Sequence, residues 1–399
     1  MARTVVVHRD KCFSCGVCRF LVACPSPKSC IGCGICVEAC PFNARSLMEI
    51  HEPPSTVKIT VNGSLFEVPR NLTVKAALER LGIFLERGVP QEALCNTGGC
   101  YSCLVKINGR YRRACVTPVE EGMVIETELG EDALILRVVH GPQPHSVGGK
   151  GTPWYVKNSY GYVEVAIWVA GCNLWCPQCQ NFEVTYDGKR PPLTPRQAAE
   201  IVTISRRTYH VDRMAISGGE PTVNRRWLVE FFKELKRLNP DERARIHLDS
   251  NGTLLTKDYL EELMEAGMTD VGIEPKAARL ETYMNITGLK DRELAQRYFN
   301  TSWNAVKLVV DHFSDRLFLG VGMAYNSEFM SMEEVREFGE KLASIDREVQ
   351  LVVLDYFPAF KRQHLRRPSP EEMLQVKRVL EEAGLKTVIV QTSIGHIGP

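Results

Sequence analysis

The sequence has little that would direct the protein to a membrane or to a polyanion. Its 399 residues contain 49 lysines and arginines against 48 aspartates and glutamates, so the formal net charge is +1. A chain so close to neutral has no electrostatic reason to bind nucleic acid or an anionic lipid surface. It also lacks an apolar run near the ~20 residues of a membrane span and a signal-peptide core at its start. We therefore expect a cytoplasmic protein with no membrane span and no nucleic-acid partner.

Cysteine is absent after Cys179, and the 15 cysteines fall into three separate groups. An odd number cannot pair completely, and thiols stay reduced in the cytoplasm, so the cysteines are expected to be metal ligands. The length predicts about two or three domains. Composition and turn residues divide the chain into a short module, a second module, a Gly/Pro-rich linker and a large domain. Their predicted bounds are 1–50, 55–130, 131–160 and 161–399, with a short proline-containing linker at 51–55.

The first group contains two similar cysteine runs, each ending in Cys-Pro. Three closely spaced cysteines and a distant fourth form the bacterial ferredoxin pattern, in which the last cysteine of each run binds the other cluster. The pattern predicts an α+β ferredoxin-like module with two 4Fe–4S clusters, and metal must supply much of its folding free energy. Zinc is the alternative, but zinc sites rarely use three cysteines at successive i, i+3, i+6 spacing. The two predicted ligand sets are Cys12, Cys15, Cys18 and Cys40, and Cys30, Cys33, Cys36 and Cys24.

The second group follows a predicted β-hairpin at 57–68 and a predicted helix at 74–81. Its C-x4-C-x2-C start is the plant-type 2Fe–2S spacing. The short gap to the fourth cysteine resembles the N-terminal domain of succinate dehydrogenase iron–sulfur subunits, which implies a β-grasp module with one 2Fe–2S cluster. A zinc ribbon is the alternative, but it normally uses two C-x2-C knuckles and only one is present. The predicted ligands are Cys95, Cys100, Cys103 and Cys115.

The third group has only three cysteines, Cys172, Cys176 and Cys179, directly after a predicted strand. Three thiolates cannot saturate a 4Fe–4S cluster, so one iron keeps an open position, as catalytic metal sites do. This C-x3-C-x2-C loop resembles the signature of the radical S-adenosylmethionine (SAM) superfamily. The resemblance implies that the open iron chelates SAM and that one electron cleaves the S–C5′ bond to give a 5′-deoxyadenosyl radical. It also makes the three cysteines the expected catalytic residues.

Three motifs follow later predicted strands, namely Ser217-Gly218-Gly219-Glu220-Pro221-Thr222, Asp249-Ser250-Asn251-Gly252 and Glu274-Pro275-Lys276. They extend the resemblance to pyruvate formate-lyase activating enzymes, which act on glycyl-radical enzymes. It covers about residues 160–325. Two departures are Gln178, where those enzymes carry an aromatic residue, and the lack of a secure match for their C-terminal histidine. A plain turn at 218–220 and a solvated Lys276 are the alternatives to SAM contacts. The resemblance implies that SAM is bound by Gly218, Gly219, Glu220, Asp249, Ser250, Glu274 and Lys276.

Beyond residue 160, predicted strands and helices alternate, which indicates a parallel sheet or barrel with its site at the carboxyl ends of the strands. The resemblance implies a partial (βα)6 barrel of the radical SAM type. Strands are predicted at 163–169, 213–216, 245–249, 270–273, 305–310, 317–322, 350–354 and 387–390. Helices are predicted at 195–206, 226–238, 257–266, 291–300, 332–345 and 370–383.

Together these patterns predict a radical SAM oxidoreductase with three 4Fe–4S clusters, one 2Fe–2S cluster and SAM as cofactors. It would abstract hydrogen from an unidentified substrate, a backbone glycine of a partner protein being one candidate. All twelve N-terminal cysteines are used as ligands, which favours an electron relay from a low-potential donor over substrate binding by those clusters. Two alternatives stay open. One is radical modification of a small molecule, lipid or peptide, and the other is an electron-transfer protein with an inactive barrel.

Overall fold

The computed structural model of the chain describes residues 2–51, 55–85, 87–157 and 160–399. Within those ranges the strands form a two-stranded, a five-stranded and a ten-stranded sheet. Residues 52–54 of the short linker predicted at 51–55 lie outside the described residues. No helix in the described part of the chain combines the length and the apolar character needed to cross a membrane.

The first module is a two-stranded antiparallel sheet with two short helices between its strands. Each helix follows a glycine in the left-handed region, Gly16 at φ 81° and Gly34 at φ 79°, a conformation that costs glycine little. Its elements are β1 (Ala2–Val7), α1 (Val17–Phe20), α2 (Ile35–Glu38) and β2 (Arg45–Ile50).

The second module is a five-stranded mixed sheet that packs on one helix. Its first two strands form an antiparallel hairpin turned by Asn62-Gly63, both at positive φ, as the Asn-Gly pair predicts. Thr73 caps the helix through a hydrogen bond that its side chain accepts from the Ala76 amide. The elements are β3 (Thr56–Val61), β4 (Ser64–Pro69), α3 (Val74–Arg80), β5 (Leu104–Ile107), β6 (Arg110–Arg113) and β7 (Met123–Glu126).

The large domain alternates strands and helices, as the sequence predicts. Its strands are β8 (Arg137–His145), β9 (Glu164–Val169), β10 (Pro192–Leu193), β11 (Arg213–Gly218), β12 (Arg245–Ser250), β13 (Asp270–Lys276), β14 (Phe318–Tyr325), β15 (Gln350–Asp355), β16 (Val388–Thr392) and β17 (Gly395–Ile397). Its helices are α4 (Trp154–Lys157), α5 (Phe182–Thr185), α6 (Pro195–Thr208), α7 (Arg225–Leu238), α8 (Lys257–Glu265), α9 (Leu280–Thr287), α10 (Arg292–Phe313), α11 (Met332–Ile345) and α12 (Pro370–Glu382).

The centre of the large sheet is parallel, with β9, β11, β12, β13, β14, β15 and β16 side by side in that order. Antiparallel β8 and β10 flank one side and β17 the other. The parallel strands are almost fully buried, which fits a sheet covered by crossover helices. Their carboxyl ends meet at one edge, where the cysteine loop after β9 begins.

One predicted strand is wrong. Residues 305–310 lie inside α10, a single helix of 22 residues. Their valines and leucine favour a strand, yet the buried positions include Ala305, Val306, Val309 and Phe313, whose spacing follows the helical period. Burial along one helix face therefore outweighs local strand propensity.

The segment expected to be a linker, 131–160, contains part of the large domain. Its strand β8 pairs with β9 and continues the ten-stranded sheet. Farther along, residues 148–152 enter the amino-terminal end of the parallel sheet, and we call them the base segment. Lys157 in α4 anchors this region by donating to the carbonyls of Val147 (2.7 Å) and Gly148 (3.1 Å).

Candidate active site

The three-cysteine loop leaves β9 and closes on itself through backbone contacts. The Leu174 amide donates to Cys172 Sγ at 3.4 Å, and the Cys179 amide donates to the Cys176 carbonyl at 3.1 Å. Burial raises the pKa of Cys176 to about 11 and that of Cys179 above its usual value. Buried thiols become thiolates readily only with positive charge beside them, so this donor set fits an iron–sulfur cluster.

The Gly218–Gly219 pair at the end of β11 lies against that loop. A Cβ on Gly218 would stand 2.3 Å from the Val169 backbone nitrogen, and one on Gly219 would stand 2.3 Å from the Gly171 carbonyl oxygen. The Glu220 amide also donates to the Gly171 carbonyl at 2.8 Å. Glycine is needed at both positions because the two backbones approach too closely for any side chain. That contact fixes where the cysteine loop sits above the sheet.

Glu220 joins the ends of two neighbouring strands. Its carboxylate accepts hydrogen bonds from the Thr222 hydroxyl (2.7 Å), the Ser250 hydroxyl (2.9 Å) and the Asn251 amide (2.7 Å). The Ser250 oxygen in turn accepts from the Gly252 amide at 3.0 Å. Both side chains predicted to contact SAM are therefore engaged within the protein, where they shape the turn after β12.

Asn251 is a residue that sequence reasoning did not single out as a ligand contact. Its side-chain amide donates to Asn173 Oδ1 at 3.1 Å and lies 4.0 Å from Cys172 Sγ. Asn173 donates to the Thr253 hydroxyl at 2.8 Å, so the cysteine loop is linked to the turn after β12. Its position in the sequence, directly after Asp249 and Ser250 at a strand end, is the signal that could have identified it.

Asp249, Glu274 and Lys276 come together at the carboxyl ends of β12 and β13. Lys276 Nζ lies 2.8 Å from Glu274 Oε1, and the Tyr356 hydroxyl donates to the same oxygen at 3.3 Å. Lys276 has φ 73°, and the pairing of β13 with β14 is irregular between Ile273 and Lys276. A bulge of this kind redirects side chains at a strand end.

A further lysine, missed in the sequence, completes that group. Lys150 of the base segment places its Nζ 3.6 Å from Asp249 Oδ1 and 3.5 Å from Glu274 Oε2. The opposing charges of Lys150 and His247 hold the pKa of the Asp249 carboxyl well below its usual range. Glu274 likewise has a lowered pKa, because Lys276 and Lys150 face it.

Three further residues make contacts within the protein. The Gln178 side chain donates to the Phe357 carbonyl, and Trp175 packs near Tyr186 with ring centroids 6.4 Å apart. His396 is half-buried near Lys157, and its partial burial lowers the pKa of His396 to about 4. None of these contacts identifies the group that would hold an adenine or a ribose.

The four cysteines of the second module are buried and close together. Cys103 Sγ lies 3.3 Å from Cys115 Sγ, and the Thr97 hydroxyl lies 3.3 Å from Cys95 Sγ as a donor. Gly98 has φ 86°, which allows the tight loop that the plant-type spacing requires. Four converging buried thiols fit a 2Fe–2S cluster.

This 2Fe–2S loop directly contacts the three-cysteine loop. A Cβ built on Gly171 would stand 2.9 Å from both Cys95 Sγ and the Cys100 Cβ. Arg137 is fully buried at the same interface, and its guanidinium donates to the carbonyls of Ala170 (3.0 Å), Glu220 (2.6 Å) and Pro221 (2.5 Å). The two metal-binding loops therefore share one wall.

Two hydrogen bonds near Arg137 link the second module to the large domain. Asn224 donates to the Cys100 carbonyl at 2.7 Å, and the Ser102 hydroxyl donates to the Val223 carbonyl at 2.7 Å. Each hydrogen bond joins the 2Fe–2S loop to the segment after Glu220.

The ferredoxin-like module approaches the site from the other side. Its residues Val17, Val22, Ile35 and Ala39 form a small core with Tyr186 and Phe360 of the large domain, with Cys36 and Cys179 packed against it. Around the cysteines themselves, the Gly32 amide donates to Cys30 Sγ at 3.4 Å and Arg45 donates to Cys36 Sγ at 3.7 Å. Amide and guanidinium donors stabilise thiolate charge, as 4Fe–4S ligands require.

Comparison with known families agrees with the three cysteine groups. Residues 167–342 match the radical SAM superfamily, residues 54–130 match the 2Fe-2S iron-sulfur cluster binding domain, and residues 23–46 match the 4Fe-4S binding domain.

Similar proteins cover parts of the chain. An uncharacterized iron-sulfur protein of Methanocaldococcus jannaschii is 45% identical over 78 residues, which are 18% of this chain and only 16% of that protein. A protein of the same organism named as a glycyl-radical enzyme activating enzyme is 24% identical, over 52% of this chain and 79% of its own length. A Methanococcus vannielii protein named as a GTP 3′,8-cyclase is 25% identical, over 52% of this chain and 63% of its own length.

Among solved structures, Streptococcus suis SuiB bound to S-adenosylmethionine is similar at 14% identity and a TM-score of 0.40. The match covers 53% of this chain and 44% of that one. Resemblance at this level says nothing about substrate. The family matches and the cysteine groups together establish that the chain contains a radical SAM domain preceded by 4Fe–4S and 2Fe–2S cluster-binding domains.

Proposed function

We propose that this protein is a radical SAM enzyme that reductively cleaves SAM and abstracts a hydrogen atom from an unidentified substrate, a protein glycine being one candidate. In the overall reaction SAM gains one electron and its S–C5′ bond breaks, giving methionine and a 5′-deoxyadenosyl radical. That radical takes a hydrogen atom from the substrate and becomes 5′-deoxyadenosine. A 4Fe–4S cluster on Cys172, Cys176 and Cys179 would supply the electron and an open iron for SAM.

One observation carries this proposal. The three-cysteine loop, the Gly218–Gly219 turn and the charged group of Asp249, Glu274 and Lys276 all lie at the carboxyl edge of one parallel sheet. Sites of α/β barrels are built at that edge. Carboxylates beside a lysine suit a ligand that carries both an ammonium and a carboxylate, as SAM does.

The N-terminal modules complete the proposal as an internal electron relay. We assign two 4Fe–4S clusters to the first module, one 2Fe–2S cluster to the second and one 4Fe–4S cluster to the three-cysteine loop. The contact of Gly171 with Cys95 and Cys100 supports the 2Fe–2S cluster as the immediate neighbour of the SAM cluster. A low-potential donor protein or reductant would supply the first module. The domain bounds 1–50 and 55–130 remain part of this proposal, whereas the bound 161–399 is extended toward the N-terminus to include β8.

Radical modification of a small molecule is the second candidate. The similarity to a protein named as a GTP 3′,8-cyclase favours it, since that match covers half of this chain. It shares the SAM cleavage step with the first candidate and differs only in the hydrogen donor.

The test is production of 5′-deoxyadenosine by protein reconstituted anaerobically with iron and sulfide and then reduced. We expect turnover by the native chain and none above background for Cys176→Ala, because two remaining thiolates cannot hold the cluster with one open iron. The 2Fe–2S absorption and EPR signals of the same variant serve as the control for folding. Cleavage of SAM by Cys176→Ala, or none by the native chain, would contradict the proposal.

A further inference from the structure

Hydrogen bonds to four strands hold the base segment at the amino-terminal end of the parallel sheet. The Gly149 amide donates to Glu164 Oε1 at 2.9 Å, and the Gly151 amide lies 3.1 Å from His247 Nε2 as a donor. Arg213 donates to the Gly151 carbonyl at 3.0 Å. The Gln350 side-chain amide donates to the Lys150 carbonyl at 3.1 Å. These partners lie near the amino-terminal ends of β9, β11, β12 and β15, so the segment closes the lower end of the sheet.

Three glycines on the inner face of the sheet make room for Lys150. A Cβ on Gly320 would stand 1.9 Å from the Lys150 carbonyl oxygen, and one on Gly272 would stand 2.8 Å from the Lys150 Cβ. A Cβ on Gly322, farther along β14, would stand 2.3 Å from the Lys150 Cδ. The lysine chain therefore runs upward from the base toward the carboxyl ends of the strands.

The ammonium ends between two carboxylates. Its distances are 3.6 Å to Asp249 Oδ1 and 3.5 Å to Glu274 Oε2, and the Lys150 amide also donates to Asp249 Oδ1 at 3.1 Å. The Lys150 side chain is 14% exposed, and those of Asp249 and Glu274 are 9% and 8% exposed. Two carboxylates that are this close together and this shielded from solvent cannot both stay ionised without cations beside them.

Charged groups from several elements face the pair, and Glu220 after β11 and Cys176 of the three-cysteine loop also lie near it. Asp249 faces Lys150 from the base segment and His247 from its own strand, with Glu164 of β9 behind that histidine. Glu274 faces Lys150 and Lys276, and the Tyr356 hydroxyl bonds to it. Among the described residues, Lys150 alone forms ion pairs with both carboxylates.

We propose that Lys150 is a positioning residue of the SAM site, whose ammonium holds Asp249 and Glu274 together as a fixed anionic pair for the cationic groups of SAM. This inference rests on the proposed function, since it takes SAM as the ligand. Lys150 acts through the two carboxylates and touches no reacting atom.

The test is the dissociation constant of SAM, measured by equilibrium dialysis with the reconstituted holoprotein from pH 6 to 8.5. Removing the cation in Lys150→Met raises the carboxylate pKa values, so one of the pair becomes protonated as the pH falls. We expect the ratio of variant to native dissociation constants to be about 10 at pH 6 and to approach 1 near pH 8.5. Using the ratio cancels the titration of the amino group of SAM. Lys150→Arg, which keeps the charge, should restore a flat ratio.

Lys157→Met is the matched control, because Lys157 anchors the same region through carbonyls and not carboxylates. We expect it to lower the melting temperature but to leave the ratio independent of pH. The double variant Lys150→Met/Asp249→Asn keeps one carboxylate beside Lys276, so its ratio should also lose the pH dependence. The pH dependence of the ratio can still be measured with this variant if Lys150→Met alone does not fold.

A pH-independent ratio for Lys150→Met, whether near 1 or above it, would overturn the inference. So would a double variant whose ratio still rises as the pH falls. Failure of the native holoprotein to bind SAM at any pH would instead count against the proposed function.

Discussion

The two iron–sulfur modules contact the radical SAM domain in different ways. All four cysteines of the 2Fe–2S module are buried, and its loop joins the large domain through hydrogen bonds from the Val138 amide to the Gly99 carbonyl and from Asn224 to the Cys100 carbonyl, beside the buried guanidinium of Arg137. In the ferredoxin-like module five of the eight cysteines are exposed, and its contacts with the large domain include a small apolar core, a hydrogen bond from the Gly188 amide to the Leu21 carbonyl and the Lys361–Glu38 ion pair. The first interface resembles a domain core, whereas the second resembles a transient contact.

That difference suggests a division of labour along the relay. A buried interface with fixed backbone contacts keeps two redox groups at a constant separation. An exposed module leaves its cysteine loops within reach of another protein. We therefore expect the ferredoxin-like module to receive electrons and the 2Fe–2S module to deliver them. The three predictions that follow test the contrast, beginning with the largest effect.

The largest effect is expected for Arg137→Met. This change leaves the carbonyls of Ala170, Glu220 and Pro221 buried without their donor, so we expect a loss of about 3 to 5 kcal/mol of stability. Chemical unfolding followed by 2Fe–2S absorption measures it. Arg226→Met, at an exposed position on α7, is the control and should change stability by less than about 0.5 kcal/mol. Equal midpoints for the two variants would mean that the wall of the large domain on which the 2Fe–2S loop packs is not core-like.

A smaller effect is expected for Gly171→Val, which tests the contact between the two loops. The new side chain would collide with Cys95 and Cys100, costing about 1 to 3 kcal/mol and separating the two clusters. We expect weaker magnetic coupling between the reduced clusters in EPR spectra. Gly161→Val is the matched control, because Gly161 has φ 87° against 84° for Gly171 but a Cβ there meets no described atom within 4 Å. Unchanged coupling in Gly171→Val would mean that the loops do not set the cluster distance.

The smallest effect is expected for Lys361→Met in the outer interface. The Nζ of Lys361 lies 3.1 Å from Glu38 Oε2, and their side chains are 17% and 45% exposed. A partly exposed ion pair contributes about 1 kcal/mol or less and is weakened by salt. We expect a small loss of stability at low salt that disappears near 1 M salt. Lys386→Met, which removes an exposed pair with Glu348, should behave alike. A loss as large as that of Arg137→Met would erase the contrast between the modules.

Most of what the cysteines do could be predicted from their spacing. Ligand geometry restricts cysteine spacing strongly, so the three kinds of cluster-binding domain and their order could be predicted from the sequence. The family matches confirm the three kinds of domain. The assignment of individual ligands and SAM contacts stays a prediction. Most strands of the parallel sheet were also predicted, because buried parallel strands form short, nearly continuous apolar runs.

What the sequence did not reveal depends on contacts between distant segments. Gly148-Gly149-Lys150-Gly151 has the composition of a linker, and only the glycines at 272, 320 and 322 show that it enters the sheet. Glu220 was expected at SAM, yet the hydrogen bonds that its carboxylate accepts come from residues 222, 250 and 251. Residues 305–310 have strand propensity, but their place in α10 depends on which face is buried.

The filled amino-terminal end of the parallel sheet has a consequence for how a substrate reaches the site. Residues 148–152 occupy that end through hydrogen bonds to four strands. A substrate therefore has no route to the three-cysteine loop through the amino-terminal end, and it must approach from the side on which the strands end.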